Sequence, residues 1–380
     1  MRNVALDLAA RKISYCEVAD GRVVARRTVG SLRALEDLLG PTAAPARVAI
    51  EACREAWHVY RVLEQWGNQP LLVDTTRVRR IGVGEHGRKT DRIDAEKLAR
   101  AVADGKIPVA HLLSPKRQRL RMELSVRRAL VESRAQYIVT VRGLARAHGV
   151  RLPSCSADDF VSRIAAAKLD AELHERVRPL LNTLATLDHE LAKMDRRLHE
   201  LCADEPVIML LMTVPYVGVI VASSFVSVID EARRFPNAHK VGAYLGLVPA
   251  EKTTGDLRRL GAITKQGNSY LRSLLVETCW GILKLRNSDD PLHCWVKAVA
   301  KRRGNRIAVV ALARRLAGVL WAMWRDGTAY EPDRVGYRSA RGLGRQAQDI
   351  QLRAAAMARA ADKARQRARR FERKLTEVRA

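Results

Sequence analysis

The sequence predicts a multidomain chain with an α/β amino-terminal domain, long coiled-coil helices and a mainly α carboxy-terminal domain. Three observations carry this. Over the first hundred residues, short β-rich runs are first paired and then alternate with helical patterns. An apolar stripe in steps of four and three runs from Leu173 to Leu201. Apolar helical patterns containing several tryptophans then continue to about residue 330.

In chain order, "NVALDLA" (3–9), "KISYCEVA" (12–19) and "RVVARRTV" (22–29) are β-rich runs split by short breaks, which predicts a three-strand meander. "SLRALEDLL" (31–39) has helical spacing. "ARVAIEA" (46–52) reads as a strand, "EAWHVYRVLEQWG" (55–67) as a helix closed by Gly67, and "QPLLVDT" (69–75) as another strand. "TDRIDAEKLARAVADG" (90–105) is a helix ending at Gly105. Residues 115–150 carry helical spacing and far more arginines than acids, which suits either a solvated face or a nucleic-acid surface.

The stripe that follows comprises Leu173, Val177, Leu180, Leu184, Leu187, Leu191, Met194, Leu198 and Leu201. It predicts a coiled coil or a long antiparallel helix pair, with Pro179 marking a kink or a first turn. "MLLMTVPYVGVIVASSFVSVI" (209–229) reads as helix end, Pro-x-x-Gly turn and helix, a geometry that turns backbone N–H groups outward as a seat for phosphate. Trp280, Trp321 and Trp324 sit in apolar helical patterns and read as core. The end, "LRAAAMARAADKARQRARRFERKLTEVRA" (352–380), is a basic, helix-favouring tail suited to folding on RNA or DNA. These breaks divide the chain into segments 1–112, 113–205, 206–330 and 331–380.

At 380 residues and 47% apolar content the chain is long enough for two or three domains with real cores. Its formal charge of +27 points to polyanions or a membrane surface. No run of about 20 apolar residues stands out, so no spanning helix is expected. "MRNVALDLAARK" lacks the apolar region and cleavage site of a signal peptide. Nucleic acid is therefore the leading partner class, bound through phosphates with release of counterions. The expected location is the prokaryotic cytoplasm, associated with the nucleoid. Six cysteines at 16, 53, 155, 202, 279 and 294 form no CxxC pair, which argues against zinc and for free, buried thiols.

The acids in the first domain stand where acids are costly. Asp7 interrupts an apolar strand and Glu51 ends another, and a buried carboxylate needs a partner or a metal. Asp91 and Asp94, in "GRKTDRIDAEKLARA" (87–101), lie three apart, which on a helix puts both on one face. A charged helix start fits that pair, and Asp91 alone reads as an N-cap. Four carboxylates on three elements of one α/β sheet fit Mg²⁺ better, since hard oxygen ligands suit that ion and paired ions serve phosphodiester chemistry.

Three motifs, "VALDLAARK", "VAIEACREAWHVYRVLEQWG" and "KTDRIDAEKLA", resemble those of the DEDD transposases: the insertion-sequence family numbered 110, its 1111 subgroup and the related Piv-type DNA invertases. "LMTVPYVGVIVA", "RRFPNAHKVGAYLGLVP" and "TTGDLRRLGAITKQGNSYLRSLLVE" resemble the second conserved domain of the same family, so the likeness spans most of residues 1–330. What it implies is an RNase H-like (RuvC-like) first domain with Asp7, Glu51, Asp91 and Asp94 as metal ligands for Mg²⁺ (or Mn²⁺), a helical linker, and a carboxy-terminal transposase domain carrying a hydroxyl nucleophile. It also implies a structured non-coding RNA that bridges donor and target DNA.

The family reads Ser-Gly after its "GLxP" stretch, where this chain has "VPAEKTTGDLRR". Thr254 thus stands in the serine's place, with Thr253 and Ser269 as neighbouring hydroxyls. Threonine offers the same oxygen with an added methyl and needs the same activation. Lys89, Arg92, Arg127, Arg128, Arg258, Arg259, Lys265 and Arg272 are placed to neutralise a nucleic-acid backbone, or else form a solvated basic face. The expectation is a Mg-dependent DNA transposase or site-specific recombinase, working as a homodimer or homotetramer with sites shared between subunits. The alternatives are a water-using nuclease, an invertase, or a silent nucleic-acid-binding relative.

Overall fold

The structure is a computed structural model that describes residues 1–9, 11–74, 77, 91–167, 169–251, 259–285 and 288–335. The side chains of residues 91–93 and 335 lie outside this description, as does the whole basic tail from 336 onward. The chain divides into two compact units, Met1–Leu113 and Ser114–Ala380.

The first unit is built on a five-stranded mixed sheet. Strands β1 (Arg2–Ala9), β2 (Lys12–Ala19) and β3 (Arg22–Val29) form the antiparallel meander expected from their alternation. The β2–β3 turn is Asp20-Gly21, both with positive φ (50° and 72°), the combination that two-residue hairpins with right-handed twist require. β4 (Ala46–Glu51) pairs parallel with β1, and β5 (Gln69–Val73) parallel with β4, giving the order β3-β2-β1-β4-β5.

Period-two alternation sorts the strand residues onto two faces. Val4, Leu6, Tyr15, Val48, Ile50 and Leu72 face α2 (Ala56–Gln65), which answers with Val59 and Leu63. Ala5, Cys16, Val18, Ala49 and Val73 face α3 (Asp91–Ala103), which answers with Ala95, Leu98, Ala99 and Val102. The stretch expected as one helix over 31–39 is a 3-10 turn, Arg33–Leu35, followed by α1 (Glu36–Leu39). Buried Asn68 ties the entries of two strands together: its side chain donates to Leu39 O (2.7 Å) and accepts from Ala46 N (3.0 Å).

The second unit opens with two 33-residue helices, α4 (Pro115–Ala147) and α6 (Ala171–Ala203), with the short α5 (Phe160–Ala166) between them. Ser114 and Asp170 accept from the N–H three residues on, and Pro115 stands at the first position, so both starts follow ordinary capping chemistry. The ion pairs Glu123–Arg197, Arg127–Asp195 and Arg134–Asp188 run in opposite chain directions, so the helices are antiparallel. Leu173, Val177, Leu181 and Leu184 of α6 bury against Val141 and Ala145 of α4 and Phe160 and Ile164 of α5. The apolar stripe is therefore partnered inside its own chain. Pro179 lies well within α6, not in its first turn, and at the far end Cys202 is buried while Leu201 is exposed.

The rest is helical: α7 (Pro206–Leu211), α8 (Val219–Ile229), α9 (Ala238–Tyr244), α10 (Ser269–Leu283), α11 (Pro291–Arg303), α12 (Asn305–Asp326) and a last 3-10 turn, Pro332–Val335. A two-stranded hairpin, β6 (Pro249–Glu251) and β7 (Leu260–Ile263), interrupts them. Trp321 is buried in this core with its Nε1 donating to Ala232 O (2.9 Å), while Trp280 and Trp324 pack partly buried beside it.

Contrary to the sequence expectation, one described helix, α12, is long and apolar enough to cross a membrane by length and composition. Half of its apolar window is core, with Leu312, Leu316 and Leu320 fully buried, and Arg314 and Arg315 interrupt its middle. All six cysteines are free. Cys16, Cys202 and Cys279 are buried, but Cys53 is exposed, which corrects the expectation that all are interior.

Candidate active site

The sheet register decides which acids meet. Leu6 pairs with Ile50 across the parallel β1–β4 edge, so Asp7 and Glu51 are the next residues on neighbouring strands, at their carboxyl ends. Each follows by two the alanine that faces α3, so alternation turns both toward that helix. Asp94 lies on α3 itself, next to Ala95 and one turn before Leu98, and is 5% exposed. Asp7 and Glu51 are partly buried. Asp91 is the first residue of α3, one turn before Asp94, and its side chain lies outside the described residues.

Three of the four predicted acids thus stand on one side of one sheet, at the end where the parallel strands finish. Among the described residues no three His, Cys, Asp or Glu side chains are close enough to hold one ion. The donor chemistry nevertheless suits a hard divalent cation, and Asp94 is buried without a cationic partner among the described residues.

Glu96, on the outer side of α3, is engaged differently. Burial pushes it up, but hydrogen bonding from Arg100 and the charges of Arg26 and Arg100 outweigh that and leave it below the usual carboxylate range. Arg100 donates to it at 2.9 Å and also to Gly21 O at 2.6 Å, pinning α3 to the β2–β3 turn.

Thr253, Thr254 and Arg258 fall in residues 252–258, which join β6 to β7 and lie outside the described residues, as does Lys89. Arg92 is on α3 with its side chain likewise outside. The root of the β6–β7 hairpin is described. Gly246 and Gly267 both take positive φ (68° and 75°), and a Cβ on them would lie 2.2 Å from Gln266 O and 2.1 Å from Tyr244 O. Only glycine allows these two segments to cross so closely. Arg272 clamps the crossing, donating to Leu245 O (3.0 Å) and Gln266 O (2.9 Å). Ser269 is exposed at the start of α10, and Arg259 and Lys265 are exposed on either side of β7.

Arg127 and Arg128 are held by protein groups. Arg127 Nε donates to Asp195 (2.5 Å), and Arg128 pairs with Glu132 (2.7 Å) while its guanidinium lies 5.1 Å from the Tyr270 ring centre. Asp195 and Tyr270 were not singled out from the sequence. Alternation of charge along α4 and α6 carries no sign of which acid faces which arginine.

The profile of the Transposase IS116/IS110/IS902 family matches residues 209–291, and that of the IS110-type DEDD transposases, described as Transposase, matches residues 4–148. A probable family 20 transposase of Pseudomonas aeruginosa is 30% identical over 76% of this chain and 86% of its own length. The transposase for insertion sequence element IS1111A of Coxiella burnetii is 28% identical over 73% of this chain and 77% of its own. That for element IS1328 of Yersinia enterocolitica is 27% identical over 83% and 94%. The chain belongs to the IS110-type family of DNA transposases.

Proposed function

We propose that the chain recombines DNA strands of a mobile insertion sequence, using a RuvC-like metal domain and a threonine hydroxyl under the guidance of a structured RNA. The observation that carries this reading is the placement of Asp7 and Glu51 on the sheet face that meets α3, with buried Asp94 on that helix. Asp91 completes the set from the preceding helical turn. The strand order, with a meander leading into two parallel strands, suits an RNase H-like domain.

In this reading Asp7, Glu51, Asp91 and Asp94 would hold Mg²⁺, or Mn²⁺. When bound, the ion supplies polarisation of the scissile phosphate and neutralisation of the charge that develops on the attacking and leaving oxygens. Thr254 Oγ attacks phosphorus. Its proton is lost as a Thr–O–P bond forms, and the bond to the leaving sugar oxygen breaks as that oxygen takes up a proton. In strand exchange a second DNA hydroxyl attacks the phosphorus, breaking the Thr–O–P bond and returning the threonine hydroxyl. Arg258, Arg259 and Lys265 lie near this hydroxyl in sequence and neutralise backbone phosphates. The charge of +27 suits simultaneous binding of DNA and RNA, and the work belongs beside the nucleoid of a prokaryotic cytoplasm.

The segments 1–112, 113–205, 206–330 and 331–380 then serve as metal domain, helical linker, nucleophile domain and basic tail. Homodimers or homotetramers would supply metal and hydroxyl from different subunits. The α6 stripe no longer supports that assembly, because its buried half packs within the chain.

The threonine in place of serine favours one rival, a nucleic-acid-binding relative that has lost catalysis, and the nearest rival among enzymes is a nuclease in which water attacks. A denaturing gel with Mg²⁺, co-purified RNA and labelled DNA spanning element ends separates them. A covalent protein–DNA adduct lost in both Thr254→Ala and Asp91→Ala supports the hydroxyl mechanism. Cleavage without an adduct selects the nuclease, and binding with neither marks a silent relative.

A further inference from the structure

The carboxylate face of the sheet continues into a second polar feature. Asp7 pairs with Ser14, and Ser14 pairs with Thr28, so these three side chains form one row across β1, β2 and β3. Glu51 extends the row on the other side of Asp7, with strands spaced about 5 Å apart. The next row is Ala5, Cys16 and Arg26. Between these rows and α3 lies a cavity of about 270 Å³, lined by Ser14, Tyr15, Cys16, Arg26, Arg27 and Thr28 from the sheet and by Ala95 from the helix. That volume is ample for a phosphodiester group, and Ala95 adjoins Asp94.

The groups in this cavity share one chemistry. Arg26 Nε is buried and has no nitrogen or oxygen hydrogen-bond partner among the described residues, although its guanidinium lies beside the Cys16 thiol, so it keeps a donor free for a ligand. Ser14, 7% exposed, and Thr28 add two hydroxyl donors, and no carboxylate lines the space. Arg26 pairs through Nη2 with Glu96, but Arg100 shares that same carboxylate, so two guanidiniums face one acid and the cluster keeps a positive charge. Three donors under a net positive charge fit an anion with several acceptor oxygens.

We propose that this cavity seats a backbone phosphate of the DNA strand that runs to the carboxylates, adjacent to the phosphate being cut. It rests on the reading that the carboxylates act on DNA. The Thr28–Ser14–Asp7–Glu51 row then works as a track: the hydroxyls and Arg26 grip one phosphate, and the acids with their ion act on a neighbouring one. Arg26 is a positioning residue, because it fixes the strand without touching the reacting atoms.

The test uses the full chain with Ca²⁺ in place of Mg²⁺ and a fluorescein-labelled single-stranded oligodeoxynucleotide, read by anisotropy across a salt series. Arg26→Gln is expected to weaken binding about tenfold and to reduce the salt slope by about one. Ser14→Ala with Thr28→Val removes the hydroxyls without changing charge or the Arg26–Glu96 pair, and is expected to weaken binding at an unchanged salt slope. Arg33→Gln, an exposed charge outside the cavity, is the control for net charge alone. Equal losses for Arg26→Gln and Arg33→Gln, or no loss in the hydroxyl pair variant, overturn the seat. Thermal melting of each variant separates unfolding from lost binding; if Arg26→Gln unfolds, the hydroxyl pair decides. Asp94→Asn, assayed for cleavage with Mg²⁺, tests the carboxylate reading by itself. Cleavage that survives Asp94→Asn while the cavity variants lose binding removes that reading and leaves the phosphate seat.

Discussion

Asp94 is the residue on which the proposed metal site turns. It is buried on the face of α3 that meets the sheet, and a carboxylate there without a cation is held at a cost. Asp94→Asn should therefore raise the melting temperature of the metal-free chain and, with the acids holding Mg²⁺ as proposed, abolish the rise expected of the parent on adding that ion. Strand cleavage should fall about 100-fold or more. Calorimetry with and without Mg²⁺ reads the first pair of effects and a gel the second; an unchanged Mg²⁺ response would remove Asp94 from the site. Glu17 offers a test of the opposite kind, remote from chemistry. Hydrogen bonding from Arg2, at 2.8 Å, and from Tyr15 outweighs burial and holds Glu17 below its ordinary value of 4.5. Its folded pKa is depressed, so its contribution to stability is present above about 4.5 and is lost as pH falls through the lower folded value. Glu17→Gln should flatten the stability profile of the chain in that acid window, measured by urea midpoints, and leave the shape of the profile near neutrality alone.

At the scale of elements, two long helices and one hairpin root organise the second unit. The α4–α6 pair rests on a short apolar seam plus ion pairs on its flanks. Leu184, 1% exposed, sits in that seam, and Leu184→Ala should cost about 2–5 kcal/mol by removing buried methyl groups and leaving a cavity. The flanking pair Glu123–Arg197, whose arginine is 62% exposed, contributes little by comparison. The β6–β7 hairpin rests on the glycine crossing. Gly267→Ala combines a left-handed backbone with a 2.1 Å clash against Tyr244 O, and should cost more than about 1 kcal/mol at the hairpin root. Circular dichroism melts would show it; an alanine variant as stable as the parent would contradict the packing.

For the whole molecule, charge is the dominant property. A chain at +27 that neutralises several phosphates should lose about a thousandfold or more in DNA affinity between roughly 50 and 200 mM salt. Anisotropy titrations across that range check it, and a flat response would mean that few of the cations reach phosphate. Arg127, Arg134 and Arg272 are already committed to Asp195, Asp188 and backbone carbonyls, so the slope should be far smaller than the count of basic residues implies.

Much of this was legible in the residues themselves. Period-two alternation marked β1 to β4 nearly to the residue, and the two acids of "TDRID" announced a helix start. By itself the sequence determined the local elements, the charge, the family motifs and which residue types could bind a metal, because propensity and periodicity act over a few neighbouring residues. Only the tertiary structure decided that the α6 stripe packs on its own chain, that α12 is half buried, that Arg127 and Arg272 serve as struts, and that Arg26, Ser14 and Thr28 line a cavity beside Asp7. Those outcomes depend on strand register and helix docking, where residues tens of positions apart compete for the same partner, and no short-range pattern encodes which of them wins.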